Sequence, residues 1–388
     1  MKSASEVKKR IRADLDGRAA RGLRRELKTW EEPIGWLNLA DNDYLGLARD
    51  PALAEAAAEA ASRHGCSASA SPLISGYRSA HRELERELLD WHHFPAGMLW
   101  NTGFAANQAV LAGLPRKGDL VLADRLIHHS MVRGILRSGA RLVRFRHNDL
   151  GHLESLLDNH AGTGRVVFVV TESVYSMDGD VPDLVALAAL REKHGFFWIL
   201  DEAHALGWHG SGLAAERGVA GSVDLLVGTL GKGLGAHGAH TLFQDAALRD
   251  YFANFAGEFI YSTYLSPVVA AAATAGVRRA RELAPQQPTW IAECRRVRSD
   301  LREAGFAVPD GDSPIIPVPV GGADEVMAVA DFLRAQKILA GAIRPPTVPA
   351  GESRLRISWK RTYGKLERQR LTEALCAWQV SVSPAATS

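Results

Sequence analysis

Cysteine is scarce in this chain and carries no pattern. Cys66, Cys294 and Cys376 are odd in number and far apart among 388 residues. Such spacing supports neither a disulfide framework nor a metal site, so no metal is expected, and it fits a reducing, cytoplasmic setting. An excess of one charge is missing as well. Against 46 Lys and Arg stand 44 Asp and Glu, a net charge of +2. A balance of that kind gives no broad electrostatic footprint for nucleic acid. No apolar run nears the ~20 residues that cross a bilayer, so no membrane partner is expected. The opening residues, Met1 to Lys9, lack the apolar core of a secretory signal, and Glu6, Asp14 and Asp16 argue against a transit peptide. No internal repeat or low-complexity segment is present. What remains is an ordinary composition, 46% hydrophobic and 23% charged, with length enough for two domains.

Val7, Ile11, Leu15, Leu23 and Leu27 recur at helical spacing, predicting an amphipathic helix or helix pair over residues 5–30. Its arginines (Arg18, Arg21, Arg24, Arg25) read as a solvated face. A short strand at 36–40 and a turn-rich loop, Asp41–Gly46, follow. Asp50-Pro51 reads as the N-cap and first residue of a helix running to about Arg63. Residues 65–76 are small and polar and predict a loop. Ser79 is expected to cap the next helix, with Leu84, Leu88 and Trp91 on its apolar face. From residue 95 a βα rhythm takes over. Strands are expected at 97–100, 120–123, 141–145, 166–171, 196–201 and 225–229, with helices such as 105–114, 130–138 and 184–194 between them. This alternation predicts an α/β fold with a mostly parallel sheet covered on both faces.

One long helix is expected after Pro267, to Leu283, and residues 282–288 mark a break. Helix 289–304, strand 314–320, helix 324–336, strand 355–359 and helix 366–380 then predict a smaller α+β domain. The expected organisation is an N-terminal helical segment and short strand (1–50), a large domain (51–283) and a small C-terminal domain (284–388). Ser381–Ser388 reads as a disordered tail.

Chemistry collects at the predicted strand ends, where open α/β sheets bind ligands. Thr229-Leu-Gly-Lys232-Gly-Leu-Gly235 closes a buried strand. Its glycines carry a backbone-entropy cost and let the chain pass close to a bulky ligand. A lysine amine held there can form a Schiff base with an aldehyde cofactor. A plain glycine-rich loop with a solvated lysine fits the same residues. Strand 196–201 is apolar until Asp201, and a carboxylate ending a buried strand is costly without a partner. The pyridinium nitrogen of pyridoxal phosphate (PLP) is such a partner; a turn-capping Asp is the other reading. Asn101-Thr-Gly103-Phe104 offers backbone amides to a phosphate, or simply caps a helix. His128 or His129 can lie flat on an aromatic ring or sit at the surface. Glu172–Asp180 is a polar turn with a hydroxyl to offer. Arg354 and Arg356 share one strand face, where a guanidinium can fork onto a carboxylate or face solvent.

Taken together, Asn42-Asp-Tyr-Leu-Gly-Leu47, Leu73-Ile-Ser-Gly-Tyr77, Gly103-Phe-Ala-Ala-Asn-Gln108, Asp124-Arg-Leu-Ile-His128, Ser176-Met-Asp-Gly-Asp180, Asp201-Glu-Ala-His204, Gly231-Lys-Gly-Leu-Gly235 and Tyr261-Ser-Thr263 resemble the motifs of the α-oxoamine synthases. These are PLP-dependent enzymes of fold type I, and the resemblance spans nearly the whole chain in order. It implies an acyltransferase that joins an amino acid to an acyl thioester with loss of CO2. It also implies a homodimer with its sites at the interface. Within the family, Ser75-Gly-Tyr77, His147-Asn-Asp149 and Ile343–Gly351 look most like the member that joins L-alanine to a pimeloyl thioester in biotin biosynthesis. The acyl carrier would be coenzyme A (pimeloyl-CoA) or an acyl carrier protein.

By matching position, Lys232 is expected to carry the cofactor, His128 to stack on its ring and Asp201 to pair with the ring nitrogen. His204 and Ser176 would lie near the phenolic oxygen. Gly103, Phe104 and Thr229 would hold the phosphate, joined by Ser262 and Thr263 across the dimer. Arg356 would bind the amino-acid carboxylate, and Arg21, Asn42, Ser75, Arg344 and Thr347 would complete the substrate site. Two stretches, 65–72 and 235–239, depart from the family pattern and would reshape the acyl pocket. Aminolevulinate synthase and glycine C-acetyltransferase are the nearest alternatives. An aminotransferase would exchange the amine without releasing CO2, and a non-catalytic subunit of this fold would most often lack Lys232 or Asp201.

Overall fold

The computed structural model describes residues 4–27, 29–31 and 34–382. Among the described residues, eleven strands fall into two sheets. β1 (Leu37–Leu39) is followed by β2 (Ala96–Trp100), β3 (Leu120–Asp124), β4 (Arg141–Phe145), β5 (Val167–Glu172), β6 (Phe197–Asp201), β7 (Leu225–Thr229) and β8 (Ala239–Phe243). The last three are β9 (Ile315–Gly321), β10 (Ile338–Ile343) and β11 (Ser353–Ser358). The main sheet runs β2-β8-β7-β6-β5-β3-β4. β8 alone runs against its neighbours β2 and β7. The pairs β3–β4, β3–β5, β5–β6 and β6–β7 are parallel. Buried parallel strands read as continuous apolar runs, which is why β5, β6 and β7 were visible in the sequence. β8 was not, because His240 and Thr241 interrupt it; both are nonetheless fully buried.

The second sheet runs β1-β10-β11-β9. β1 pairs in parallel with β10, so the strand near the N-terminus joins the C-terminal sheet. β10 was also missed by the sequence reading. Its half-buried, small-residue sequence, Ile-Leu-Ala-Gly-Ala-Ile, carries little alternation.

Asp50 caps helix Pro51–His64 by accepting from the Ala52 amide, with Pro51 in its first turn, as expected. Two local expectations are corrected. Ser79 is the first helical residue of Ser79–His92 and does not cap it. The cap is Arg78, whose backbone N–H donates to His81 Nδ1 at 2.9 Å. The predicted helix over 5–30 stops at Ala19. Gly22 sits at φ +65°, outside helical space, and Leu23 and Leu27 lie in non-helical backbone. None of the residues of helix Ala4–Ala19 is buried, so its apolar stripe of Val7, Ile11 and Leu15 faces outward. Within 65–76, Pro72–Gly76 forms a single π turn. Of the expected tail, Ser381 and Val382 close the last helix, Lys365–Val382, and residues 383–388 lie outside the described residues.

Helix Pro267–Leu283 packs on the segment that carries Lys232. Gly276 makes this possible, since a Cβ there would stand 2.4 Å from the Leu234 carbonyl oxygen. No described helix is long and apolar enough to cross a membrane.

Candidate active site

The carboxyl ends of β5, β6 and β7 and the start of helix Gly103–Gly113 surround a cavity of about 190 Å³. Its wall contains seven of the expected residues: Gly103, Phe104, His128, Asp201, His204, Thr229 and Lys232. It also contains Asn107 and Glu172, which sequence reasoning did not single out.

Lys232 Nζ lies 2.7 Å from His204 Nε2. On its other side His204 Nδ1 is 2.6 Å from the Tyr44 hydroxyl. The Tyr44 O–H donates to Asn42 Oδ1 at 3.0 Å, and Arg356 Nη2 donates to the Tyr44 oxygen at 3.3 Å. One proton assignment satisfies the chain. His204 is neutral, donates from Nδ1 to Tyr44 and accepts from Lys232 at Nε2. Burial, helped by the nearby charges of Lys232 and Arg356, pushes the His204 pKa well below its usual value, in keeping with that assignment. Lys232 is held down to about 8, by burial first and by Arg356 second, against the pull of Asp201 and Glu172.

Asp201 is gripped at both oxygens. Oδ1 accepts from the Ala203 amide at 2.8 Å and Oδ2 from Asn107 Nδ2 at 2.7 Å. Glu172, opposite Asp201 in the β5–β6 register, accepts from the His128 amide. Burial and the neighbouring Asp201 raise its pKa well above the carboxylate range. Asp201 has the fuller set of donors, two against one for Glu172. His128 caps helix His129–Ser138 and sets its ring Nδ1 at 2.7 Å from Ser130 Oγ. Its pKa is lowered by burial and by Lys232, with Asp201 opposing.

Arg356 is buried beside the cavity. Nε donates to the Ser176 carbonyl at 2.6 Å and Nη1 to Ser358 Oγ at 2.8 Å. With the Tyr44 contact, three of its N–H groups are taken, leaving one free on each terminal nitrogen. Arg354 shares its strand face but is spent on Asp178 and Glu352.

Other expected residues stand elsewhere in this chain. Ser176 lines a second, larger cavity of about 600 Å³ with Thr347, His147 and Arg354, and touches the site through its carbonyl. Ser262 Oγ and the Thr263 carbonyl accept from Asn101 Nδ2 at 3.1 and 2.9 Å, outside the cavity wall. Asn42 reaches the site through Tyr44 alone. Arg21 donates to the Gly17 carbonyl at the end of the first helix, Ser75 is exposed in the π turn, and Arg344 follows β10. Within one chain, none of these three enters the cavity wall.

The glycines around Lys232 also need a corrected reason. A Cβ on Gly233 would stand 2.4 Å from the Leu206 carbonyl oxygen, and one on Gly235 2.5 Å from the Ala48 amide. These two glycines admit neighbouring protein backbone, not a ligand. Gly103 differs, since a Cβ there meets only Thr229, at 3.8 Å. The protein does not demand a glycine at 103; the open space lies at a helix start, where backbone amides favour an anion. An anion cradle, a carboxylate and an amine of lowered pKa around one cavity fit PLP: Gly103 for the phosphate, Asp201 for the ring nitrogen and Lys232 for the aldehyde.

Comparison with known proteins supports PLP as the cofactor. The family model described as aminotransferase class I and II matches residues 34–371. A putative 8-amino-7-oxononanoate synthase of Bordetella bronchiseptica is 42% identical over 99% of this chain and 100% of its own length. The 8-amino-7-oxononanoate synthase of Geobacter sulfurreducens is 41% identical over 87% of both chains. Among solved structures, serine palmitoyltransferase of Sphingomonas wittichii superposes with a TM-score of 0.90 at 25% identity, over 99% of this chain and 100% of its own. The 8-amino-7-oxononanoate synthase of Francisella tularensis gives 0.76 at 24% identity, over 90% and 99%. The chain belongs to the class I and II aminotransferase family and, within it, to the α-oxoamine synthases, PLP-dependent acyltransferases of fold type I.

Proposed function

We propose that this enzyme condenses L-alanine with a pimeloyl thioester, releasing CO2 and free thiol and forming 8-amino-7-oxononanoate, a step of biotin biosynthesis. The observation that carries the chemistry is Lys232, its pKa held near 8, in contact with neutral His204 and within the field of Asp201 and Arg356. The choice of substrates leans on relatives of that name at 40–43% identity.

Bound PLP supplies an electron sink for a carbanion at the amino acid Cα. The protein's own groups do the rest. With a pKa near 8, roughly a tenth of Lys232 is unprotonated at pH 7, enough to take the Cα proton from alanine. His204 accepts a hydrogen bond from that amine and holds it on line. The two free N–H groups of Arg356 fork onto the alanine carboxylate. Asp201, aimed by Asn107 and the Ala203 amide, would hold the ring nitrogen of the cofactor. His128 covers one face, and Gly103 and Thr229 seat a phosphate. Ser262 and Thr263 would act across a homodimer. The 600 Å³ cavity lined by Thr347 and Ser176 would take the acyl chain.

A second reading has one observation behind it. Serine palmitoyltransferases superpose better than the Francisella synthase, which keeps L-serine and a longer acyl chain in play. Purified protein with PLP, pimeloyl-CoA or pimeloyl-acyl carrier protein, and L-alanine, glycine or L-serine separates them. Release of CO2 and thiol with L-alanine, and a product of the mass of 8-amino-7-oxononanoate, is expected. Turnover with L-serine and a long-chain acyl-CoA alone overturns the substrate assignment and leaves the family in place.

A further inference from the structure

We propose that Asn107 and Ser130 are positioning residues that lock the carboxylate Asp201 and the ring of His128 into one hydrogen-bonded unit. The inference rests on the PLP reading of the cavity. Both residues are buried, at 3% and 0% exposure. Asn107 Nδ2 donates one hydrogen to Asp201 Oδ2 at 2.7 Å and the other to Ser130 Oγ at 3.2 Å. The Ser130 hydroxyl, having accepted, turns its own hydrogen to His128 Nδ1 at 2.7 Å. The Ser130 amide points at the same nitrogen from 3.4 Å. Every donor in this line therefore points away from Asn107.

The polarity has two consequences. The side-chain amide of Asn107 cannot flip, because its Oδ1 would then face the Asp201 carboxylate, oxygen against oxygen. Oδ1 itself has no partner among the described residues, so none of them competes for the orientation. And His128 Nδ1 must accept, which leaves its proton on Nε2. A single amide thus holds Asp201 aimed, and fixes the tautomer of the ring expected to cover the cofactor. Residues 107, 130 and 201 come from three different elements, the helices Gly103–Gly113 and His129–Ser138 and strand β6, and His128 is the N-cap of the second helix.

The test compares wild type with Asn107→Leu, Ser130→Ala and Ser130→Thr, each reconstituted with PLP. The readouts are the dissociation constant for PLP and the pH midpoint of the cofactor's visible band. Asn107→Leu is close in volume and removes the donor. It should weaken PLP binding roughly 10- to 100-fold, the range of a lost hydrogen bond to a buried charge, and move the midpoint. Ser130→Ala should weaken binding by roughly up to 10-fold and Ser130→Thr should restore it. A merely structural role lowers the melting temperature of both variants and leaves affinity and midpoint at wild-type values; that result overturns the proposal. If Asn107→Leu does not fold, the Ser130→Ala and Ser130→Thr pair decides alone. Wild type that develops no visible band with PLP would strike at Lys232 instead, a different failure.

Discussion

Two clusters of ionisable groups sit near each other at the carboxyl ends of the main sheet, and burial has opposite outcomes in them. Around Lys232 charge is suppressed. His204 and His128 are driven down, Glu172 is driven up and Lys232 falls to about 8. Around His147 charge is kept. Burial opposes it there too, but Nδ1 faces Asp124 at 2.9 Å and Nε2 faces Asp180 at 2.7 Å, and together they push His147 up to about 9. The His147 cluster has its counter-charges built in. The polar groups of the Lys232 cluster line a cavity, where on the proposed reading Asp201 would meet the ring nitrogen of PLP and Gly103 its phosphate. The first is finished as protein; the second is completed by a ligand. The two also meet. The turn Tyr175–Asp180 is held by His147 at Asp180, by Arg354 at Asp178, by Arg356 at Ser176 and by Ser313 at Gly179. The structural cluster braces the loop against which Arg356 is set.

The sharpest way to break the comparison is at Lys232. Lys232→Ala should lower turnover by roughly 1,000-fold or more, since on the proposed mechanism it removes both the covalent anchor and the general base. Circular dichroism should be unchanged, because nothing in the fold depends on the amine beyond its bond to His204. At the other cluster the effect should be reversed. His147→Leu strands Asp124, which is fully buried, beside Asp180 without a cation. The expected loss is roughly 3 kcal/mol of stability, read by urea denaturation of the cofactor-free protein. A variant as stable as wild type would show that His147 is neutral and the clasp is not ionic.

A smaller effect tests the link behind Lys232. Tyr44→Phe removes one hydroxyl and leaves His204 Nδ1–H and one Arg356 donor facing nothing. Turnover should fall roughly 10-fold, the scale of one or two lost hydrogen bonds, with the lysine's pH dependence shifted. An unchanged pH profile would mean that His204 is oriented by something other than Tyr44.

Tyr44 also shows where reading the chain in order runs out. It lies 160 residues from His204, inside a stretch that looked like a turn-rich loop. Asp201, Lys232 and Thr229 were visible because a polar residue ending an apolar run is conspicuous. Asn107 was not, since Asn107 and Gln108 together, within the otherwise apolar helix Gly103–Gly113, resemble ordinary solvent-facing positions, and only the fold turns Asn107 toward Asp201. Gly233 and Gly235 were noticed for the wrong reason, because proximity to Leu206 and Ala48 leaves no trace in a linear pattern. β8 hid behind His240, a histidine with both ring nitrogens unpartnered among the described residues, in space that only a glycine at 228 can leave open: a Cβ there would stand 2.4 Å from its ring. Apolar periodicity reports burial; it does not report which distant polar groups will share it.

The mildest prediction sharpens the contrast through pH. His147 has a folded pKa of about 9, above its ordinary value of 6.5. A histidine raised in this way binds its proton more tightly folded than unfolded, so it stabilises the fold fully below pH 6.5. That contribution declines as pH rises and is gone once it passes about 9. Asp180 is more than a third exposed, so solvent screens part of the interaction and the expected size is only about 1–2 kcal/mol. The stability gap between wild type and His147→Leu, measured in urea from pH 6 to pH 10, should therefore narrow by that amount. Groups common to both proteins, Lys232 among them, cancel in the difference. A gap that stays constant across the range would mean that Asp124 and Asp180 hold His147 by shape and hydrogen bonding alone, and the two clusters would then differ in packing, not in charge.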